Sequence, residues 1–225
     1  MTSESIVAII LARGGSKGIP KKNLRLFGHA PLVDWVLNAA LQSKKINSVI
    51  LSSDSKEIIA RGEKLGCEIH NRSSEHAQDT TSSEESMLAV IDEHPLAKAA
   101  DILLLVQPTS PLTKSEDFDL ALELFETEGF DSLATGTIDH SFMWKVDTKG
   151  NAIPNYDPKS RPRRQEIANS RKENGAFYIT KKKIWEEHKC RLGGKIGFYT
   201  MKQFQSIEID TEYDWEILEG HLNRK

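Results

Sequence analysis

The sequence predicts an α/β protein, a mostly parallel sheet with helices packed on both faces. Three observations carry that expectation. Short β-type runs alternate with longer segments of helical period, the pattern of βαβ units. The apolar runs "IVAII" (6–10) and "ILLLV" (102–106) are continuous, as in strands buried on both faces. A loop rich in glycine and lysine, "ARGGSKGIPKKN" (12–23), follows the first run without a break.

The elements follow in order. After the first strand, "PLVDWVLNAALQSKK" (31–45) repeats Leu32, Trp35 or Val36, Ala39 and Ala40 at helical spacing, and Pro31 suits a first turn. "SVILSS" (48–53) reads as a strand, "KEIIARGEKLG" (56–66) as a helix and "CEIHNR" (67–72) as a strand. Ser82 and Glu85 form a capping-box pattern ahead of Met87, Leu88 and Ile91. "DILLLVQ" (101–107) is the next strand, and Ser115 is placed to cap a further helix. Beyond "DSLATGTI" (131–138) the texture changes. "DTKGNAIPNYDPKSRPRRQ" (147–165) carries Pro, Gly, Asn and cations with no helical period, so a hairpin with a long arm is expected there. A core resumes at "NGAFYIT" (174–180), followed by a short helix at "KKKIWEEHK", a strand at "KIGFYTM", the segment "SIEID" and a closing helix from 212 to 222. One domain over 1–225 with an arm at about 138–172 is the economical description.

Composition narrows the class. The 225 residues carry 28% charged side chains and a formal charge of -3, ordinary for a globular protein and too acidic overall for nucleic acid to lead as a partner. Cys67 and Cys190 stand far apart and form no CxxC pair, which speaks against a disulfide framework or zinc site and suits a reducing compartment. The run from Ile6 to Leu11 falls far short of the ~18 residues of a membrane span, and "MTSES" has no signal-peptide pattern. No His pair has a metal spacing such as HxxxH.

The chemistry concentrates at strand ends. A buried strand running straight into a glycine-rich loop delivers that loop to the carboxyl edge of a parallel sheet, where α/β folds bind ligands. Glycines let backbone N–H groups approach phosphate oxygens, and Arg13, Lys17, Lys21 and Lys22 neutralise them. The loop matches neither GxxxxGK[ST] nor GxGxxG, so P-loop and dinucleotide chemistry are set aside. "QPTSP" (107–111) ends the second apolar strand at the same edge, and Arg72 follows the strand "CEIH". In "SIEIDTEYDW" the acids Glu208, Asp210, Glu212 and Asp214 are spaced two apart, so an extended segment points all four to one side. Such a row repels unless something positive lies there, and a divalent metal is the simple answer; for Glu212 and Asp214 a helix-start role is equally open.

"ILARGGSKGIPKKN" resembles the signature of the cytidylyltransferases that activate sialic acids, the CMP-sialic acid synthetases. "RSSEHAQDTTSS", "QPTSPL", "RPRRQ", "ENGAFYI" and "IEIDTEYDW" occur in that family's order, so the resemblance covers nearly the whole chain. It implies a Rossmann-like fold of the nucleotide-diphospho-sugar transferase type. It implies transfer of CMP from CTP to the anomeric hydroxyl of N-acetylneuraminate or a relative such as Kdn, with release of pyrophosphate. Legionaminate and pseudaminate are alternative acceptors, and a non-catalytic nucleotide-binding or nuclear protein on the same scaffold is an alternative of another class. By resemblance Leu11, Ala12, Arg13, Gly15, Lys17, Lys22, Asn23, Arg72 and Ser83 contact CTP, with Arg13, Lys22 and Asp210 the catalytic set. Gln107, Thr109, Ser110, Arg163, Arg164, Gln165, Asn174 and Tyr178 take the acyl sugar. Asp210 and Glu208 hold Mg²⁺, for which Mn²⁺ substitutes. Where bacterial members often read DID, this chain reads Glu208-Ile209-Asp210, and the extra methylene leaves direct or water-mediated binding by Glu208 open. The family's arm implies a homodimer or a dimer of dimers, with no nucleic acid or membrane partner. Members are cytoplasmic in bacteria and nuclear or secretory-pathway residents in animals.

Overall fold

A computed structural model describes residues 4–16, 18–167 and 170–222. The elements run β1 (Ile6–Leu11), a small hairpin of β2 (Leu26–Phe27) and β3 (Ala30–Pro31), α1 (Leu32–Leu41), β4 (Ser48–Ser53), α2 (Lys56–Leu65), β5 (Glu68–Asn71), α3 (Ser83–Glu93), α4 (Pro95–Ala99) and β6 (Ile102–Val106). Then come α5 (Ser115–Glu128), β7 (Ser132–Ile138), the hairpin β8 (Trp144–Val146) and β9 (Ala152–Pro154), β10 (Arg171–Lys181), α6 (Lys182–His188), β11 (Ile196–Thr200) and α7 (Glu212–Leu222).

Seven strands form one sheet in the order β11-β7-β10-β6-β1-β4-β5. All neighbours are parallel except β10, which runs against both β6 and β7. From β1 the chain builds outward to β4 and β5, then returns to place β6 on the other side. That reversal opens a crevice beyond the carboxyl ends of β1 and β6.

Period-two alternation splits β1 between two cores. Ala8 and Ile10 pack with Val33, Val36 and Leu37 of α1, Ile58 of α2 and Phe118, Leu122 and Phe125 of α5. Val7 and Ile9 pack on the opposite face with Met87, Val90 and Ile91 of α3, Ala97 of α4 and Trp185 of α6. Each fully buried Ile, Leu or Phe stabilises by ~1.5–3 kcal/mol, so this strand and the loop it delivers are firmly fixed. A third cluster, of Ile19, Phe27, Leu32, Ile209, Trp215 and Leu218, ties the glycine loop to the start of α7.

The capping box at α3 forms as expected: the Ser82 hydroxyl accepts from Glu85 N at 3.1 Å, and Glu85 Oε2 accepts from Ser82 N at 2.7 Å. At α5 the cap falls one residue earlier than expected. Lys114 is the N-cap because Asp117 accepts its amide at 2.9 Å, while the Ser115 hydroxyl turns to Glu116. Within 138–172, where an arm is expected, β8 and β9 form a separate two-stranded hairpin, and Met143, Trp144, Val146 and Ile153 there are exposed. Arg161 stacks on Phe142 there, 3.9 Å from the ring centroid. No helix among the described residues is long and apolar enough to cross a membrane.

Candidate active site

The glycine loop leaves β1 at Ala12, whose amide donates to Ser52 O at 3.0 Å. Asn23 folds back beneath it and donates from Nδ2 to Arg13 O at 3.0 Å, closing the loop on itself. Lys21 and Lys22 are adjacent but diverge. Lys21 adopts the left-handed region, φ 51°, and its side chain reaches outward to Glu57. Lys22 therefore turns inward and donates to Ile209 O at 2.8 Å and to Asp210 Oδ1 at 3.2 Å.

Two cavities of about 250 Å³ abut over this loop and share Leu11, Arg13 and Ser83. One continues along Arg72, His76, Asp79 and Ser82, the other along Gly15, Lys22, Asn23, Gln107 and Thr109. Arg13 holds Asp79 at 2.7 Å between them. Arg72 is buried and clamps Ser52 through Nε and Nη2. Burial lowers its guanidinium to about 10, against the pull of Asp54 and with a push from Arg13.

A third cavity, of about 710 Å³, opens on the far side of Asp210 and is lined by Glu208, Arg164, Lys172, Glu173 and Asn174. Burial, with Asp210 second, raises the Glu208 carboxyl to about 7, although Lys22 and Lys172 draw it down. Two glycines make room for the acidic segment. A Cβ on Gly18 would lie 2.6 Å from Asp210 O, and one on Gly175, at φ +61°, would lie 2.5 Å from Glu208 Oε1.

The other two acids of the row have separate work. Glu212 pairs with Arg25 at 2.6 Å, and Asp214 accepts from Thr211 N at 2.8 Å as the start of α7. That leaves Glu208 and Asp210 as two hard oxygen donors side by side, repelling each other, and this donor chemistry fits a divalent cation. Among the described residues no three His, Cys, Asp or Glu converge on one point. Mg²⁺ is ordinarily held by one or two carboxylates plus waters and substrate phosphates, so two suffice.

The expected site residues divide into groups. Leu11, Arg13, Gly15, Lys22, Asn23, Ser83, Gln107 and Thr109 line one continuous wall, and Ala12 is buried behind it. Ser110 is fully buried, and its hydroxyl and that of Thr109 have no hydrogen-bond partner among the described residues. Arg164 and Asn174 lie on the third cavity, yet the Asn174 amide is occupied: Oδ1 accepts from Thr135 at 2.8 Å and Nδ2 faces Met201 Sδ at 3.2 Å. Tyr178 is buried, donates its hydroxyl to Glu173 and lies under Arg191, so it touches the cavity only through Glu173. Arg163 is exposed beside Glu166. Lys17 and the Gln165 side chain lie outside what the structure describes.

Asp79 and Ser82, in the stretch 79–83 expected to face the base and ribose, line one of the two smaller cavities; residues not singled out in the sequence also line the site, His76 there and Lys172 and Glu173 at the larger one. Lys172 and Glu173 precede "NGAFYI" directly, and their place at the start of a strand aimed at the sheet edge was the available signal.

A cytidylyltransferase family profile matches residues 7–219. The chain is 38% identical to N-acylneuraminate cytidylyltransferase A of Danio rerio, over 99% of this chain and 52% of that protein. It is 36% identical to N-acylneuraminate cytidylyltransferase of Oncorhynchus mykiss, over 97% of this chain and 50% of that protein. It thus spans about half the length of those relatives. It is 30% identical to CMP-N,N'-diacetyllegionaminic acid synthase of Legionella pneumophila, over 95% of this chain and 94% of that one. Among solved structures, a CMP:2-keto-3-deoxy-manno-octonic acid synthetase complexed with CTP superposes with TM-score 0.70 at 18% identity, covering 98% of this chain and 99% of that one. A 4-diphosphocytidyl-2C-methyl-D-erythritol synthase from Anaerococcus prevotii gives 0.71 at 17%, covering 98% and 97%, and both likenesses speak for the fold. With its profile match over almost the whole length, the chain belongs to the cytidylyltransferase family.

Proposed function

We propose that this chain transfers CMP from CTP to the anomeric hydroxyl of a sialic acid, N-acetylneuraminate or a close relative such as Kdn. The observation that carries the reading is the junction of Lys22 and Asp210. It separates two small cavities walled by the cationic glycine loop from a larger one that carries Arg164, Lys172 and Glu208. A triphosphate and an acidic sugar would meet there. The C2 hydroxyl oxygen bonds to the α-phosphorus, the bond to the β-phosphate breaks, pyrophosphate leaves and a proton is released.

Such transfer rests on positioning and charge neutralisation rather than a covalent enzyme intermediate. Arg13 exchanges Asp79 for the α-phosphate, and Lys22 leans from Asp210 toward the phosphates. Loop amides near Gly15, with Lys17 and Asn23, cradle the remainder, while Arg72 and Ser83 face the base and ribose. Mg²⁺ on Asp210 and Glu208, replaceable by Mn²⁺, would neutralise charge at the transferring phosphate. Gln107, Thr109 and Ser110 address the sugar, Arg163, Arg164 and Gln165 its carboxylate, and Asn174 and Tyr178 shape the cavity wall behind Glu173. The apolar strands of the hairpin, with Met143, Trp144, Val146 and Ile153 exposed, support a homodimer in which the hairpin crosses to a second copy.

The length-matched Legionella relative favours a second acceptor, a legionaminate-type acid. Pyrophosphate release from CTP and Mg²⁺ with a panel of nonulosonic acids, with no acid and with EDTA, tests both. Release that needs acid and metal, fastest with N-acetylneuraminate or Kdn, is expected. Preference for the diacetylated legionaminate moves the acceptor to the second reading. No release with any acid overturns the enzyme reading.

A further inference from the structure

We infer that His70 is a positioning residue: acting through Ser52, it holds Arg72 at the edge of the nucleotide cavity and so sets the affinity for CTP. This inference rests on the proposed function and assigns a role to a buried histidine that the proposed chemistry does not touch.

The geometry starts from sheet register. β4 and β5 run parallel with Ser52 opposite His70, and Arg72, two residues on, returns to the same face as His70. All three side chains are buried, Ser52 completely. Arg72 donates from Nε to Ser52 Oγ at 3.1 Å and from Nη2 to Ser52 O at 2.9 Å. Ser52 Oγ lies 2.9 Å from His70 Nδ1, and His70 Nε2 lies 3.0 Å from Glu93 Oε2 at the end of α3.

Proton counting gives this chain one direction. The Glu93 carboxylate only accepts, so in the neutral imidazole the ring proton sits on Nε2 and Nδ1 offers a lone pair. A guanidinium only donates, so Ser52 Oγ accepts from Arg72 and gives its own proton to His70 Nδ1. Each hydrogen bond of the chain thus has one donor and one acceptor. The arrangement spends Nε and Nη2 of Arg72 on Ser52 and leaves Nη1 for an acceptor atom of the nucleotide. If His70 is removed, the Ser52 hydroxyl loses the acceptor that orients it, and the guanidinium is held by the backbone carbonyl alone.

The test compares His70→Phe, which keeps a ring but no nitrogen, with His70→Asn, whose amide oxygen can take the place of Nδ1. Calorimetry with CTP and steady-state kinetics with CTP varied are the readouts. His70→Phe is expected to raise Kd and KM for CTP about tenfold, the scale of one hydrogen bond to a charged group, with kcat and sugar KM unchanged within about twofold. His70→Asn is expected to recover most of that loss. Equal CTP binding by wild type and folded His70→Phe, equal losses in Phe and Asn variants, or a loss confined to kcat each overturn the inference. Should His70→Phe not fold, Glu93→Leu serves, since that side chain is half exposed at a helix end. Weaker CTP binding, about threefold, is expected from loss of the Nε2–H acceptor, and unchanged binding overturns the inference. Wild-type protein that binds no CTP overturns the proposed function and this inference with it, whereas normal wild-type binding with unmoved variants overturns this inference alone.

Discussion

Replacing Lys22 by Met separates catalysis from stability. The Lys22 side chain is 13% exposed but its ionic partner Asp210 is 66% exposed, so the pair sits largely in solvent and contributes ~0–1 kcal/mol. The bond from Nζ to Ile209 O, at 2.8 Å, is charge-assisted and contributes ~1.5–3 kcal/mol, part of which the apolar stem of Met replaces by burial. A net loss of ~1–2 kcal/mol lowers Tm by ~2–8 °C for a chain of this length. On the proposed mechanism the variant also loses a preorganised positive charge at the transferring phosphate, for which a cost of ~2.7–4 kcal/mol, or a 10²- to 10³-fold fall in kcat, is expected. Pyrophosphate release measures the second effect and thermal unfolding the first. Lys21→Met is the control, because Lys21 carries the same charge one residue away and points outward to Glu57. Turnover within about threefold of wild type in a folded Lys22→Met protein refutes the reasoning, and so does an equal loss in Lys21→Met.

Gly18→Ala places a Cβ 2.6 Å from Asp210 O, so the acidic segment must move; about 1–3 kcal/mol of destabilisation and at least about tenfold lower kcat are expected, read by unfolding and turnover. Asp131 is held well below the usual carboxylate range, first by the Lys195 amide and then by Lys183 and Lys181. A depressed folded pKa stabilises above the unfolded value of ~3.9, so the stability gap between wild type and Asp131→Asn stays level from about pH 7 to about pH 5 and closes as pH falls further. Unfolding curves across pH check the sign, and a gap that widens on acidification sinks it. On the arm, Trp144→Ser with Val146→Ser is expected to shift sedimentation from dimer to monomer, while an unchanged sedimentation coefficient would discard the crossing hairpin.

The layered fold was legible because its signals are local. Continuous apolar runs marked β1 and β6, and Ser82 with Glu85 marked the start of α3. The cationic loop was legible for the same reason: it follows its strand in sequence. The fates of the four acids were not, since Arg25, which takes Glu212, is 187 residues away, and spacing alone cannot tell a helix cap from a metal ligand. Asn174 depends on long-range contacts in the same way. The resemblance assigned it to the sugar, and it does line the third cavity, but Thr135 and Met201, distant in sequence, hold its amide. The Ser52–His70–Arg72 chain needed parallel register between β4 and β5, which no single segment specifies.

Register also explains how two carboxylates are held on an extended, partly exposed segment. Ile209 is fully buried in the third cluster, so Glu208 and Asp210 on either side are turned out toward the cavities. Its amide donates to Thr109 O at 2.8 Å and its carbonyl accepts from Lys22 at the same distance. One backbone unit thereby joins the loop after β1, the loop after β6 and the segment before α7. Gly18 closes on Asp210 and Gly175 on Glu208, so each of the three residues is gripped by a different part of the chain. A carboxylate on a free loop keeps a conformational entropy that any ligand would have to remove; here burial of Ile209 has already ordered the backbone that carries Glu208 and Asp210. The longer reach of Glu208 fits the same logic, because the space it fills is the space a Cβ on Gly175 would take.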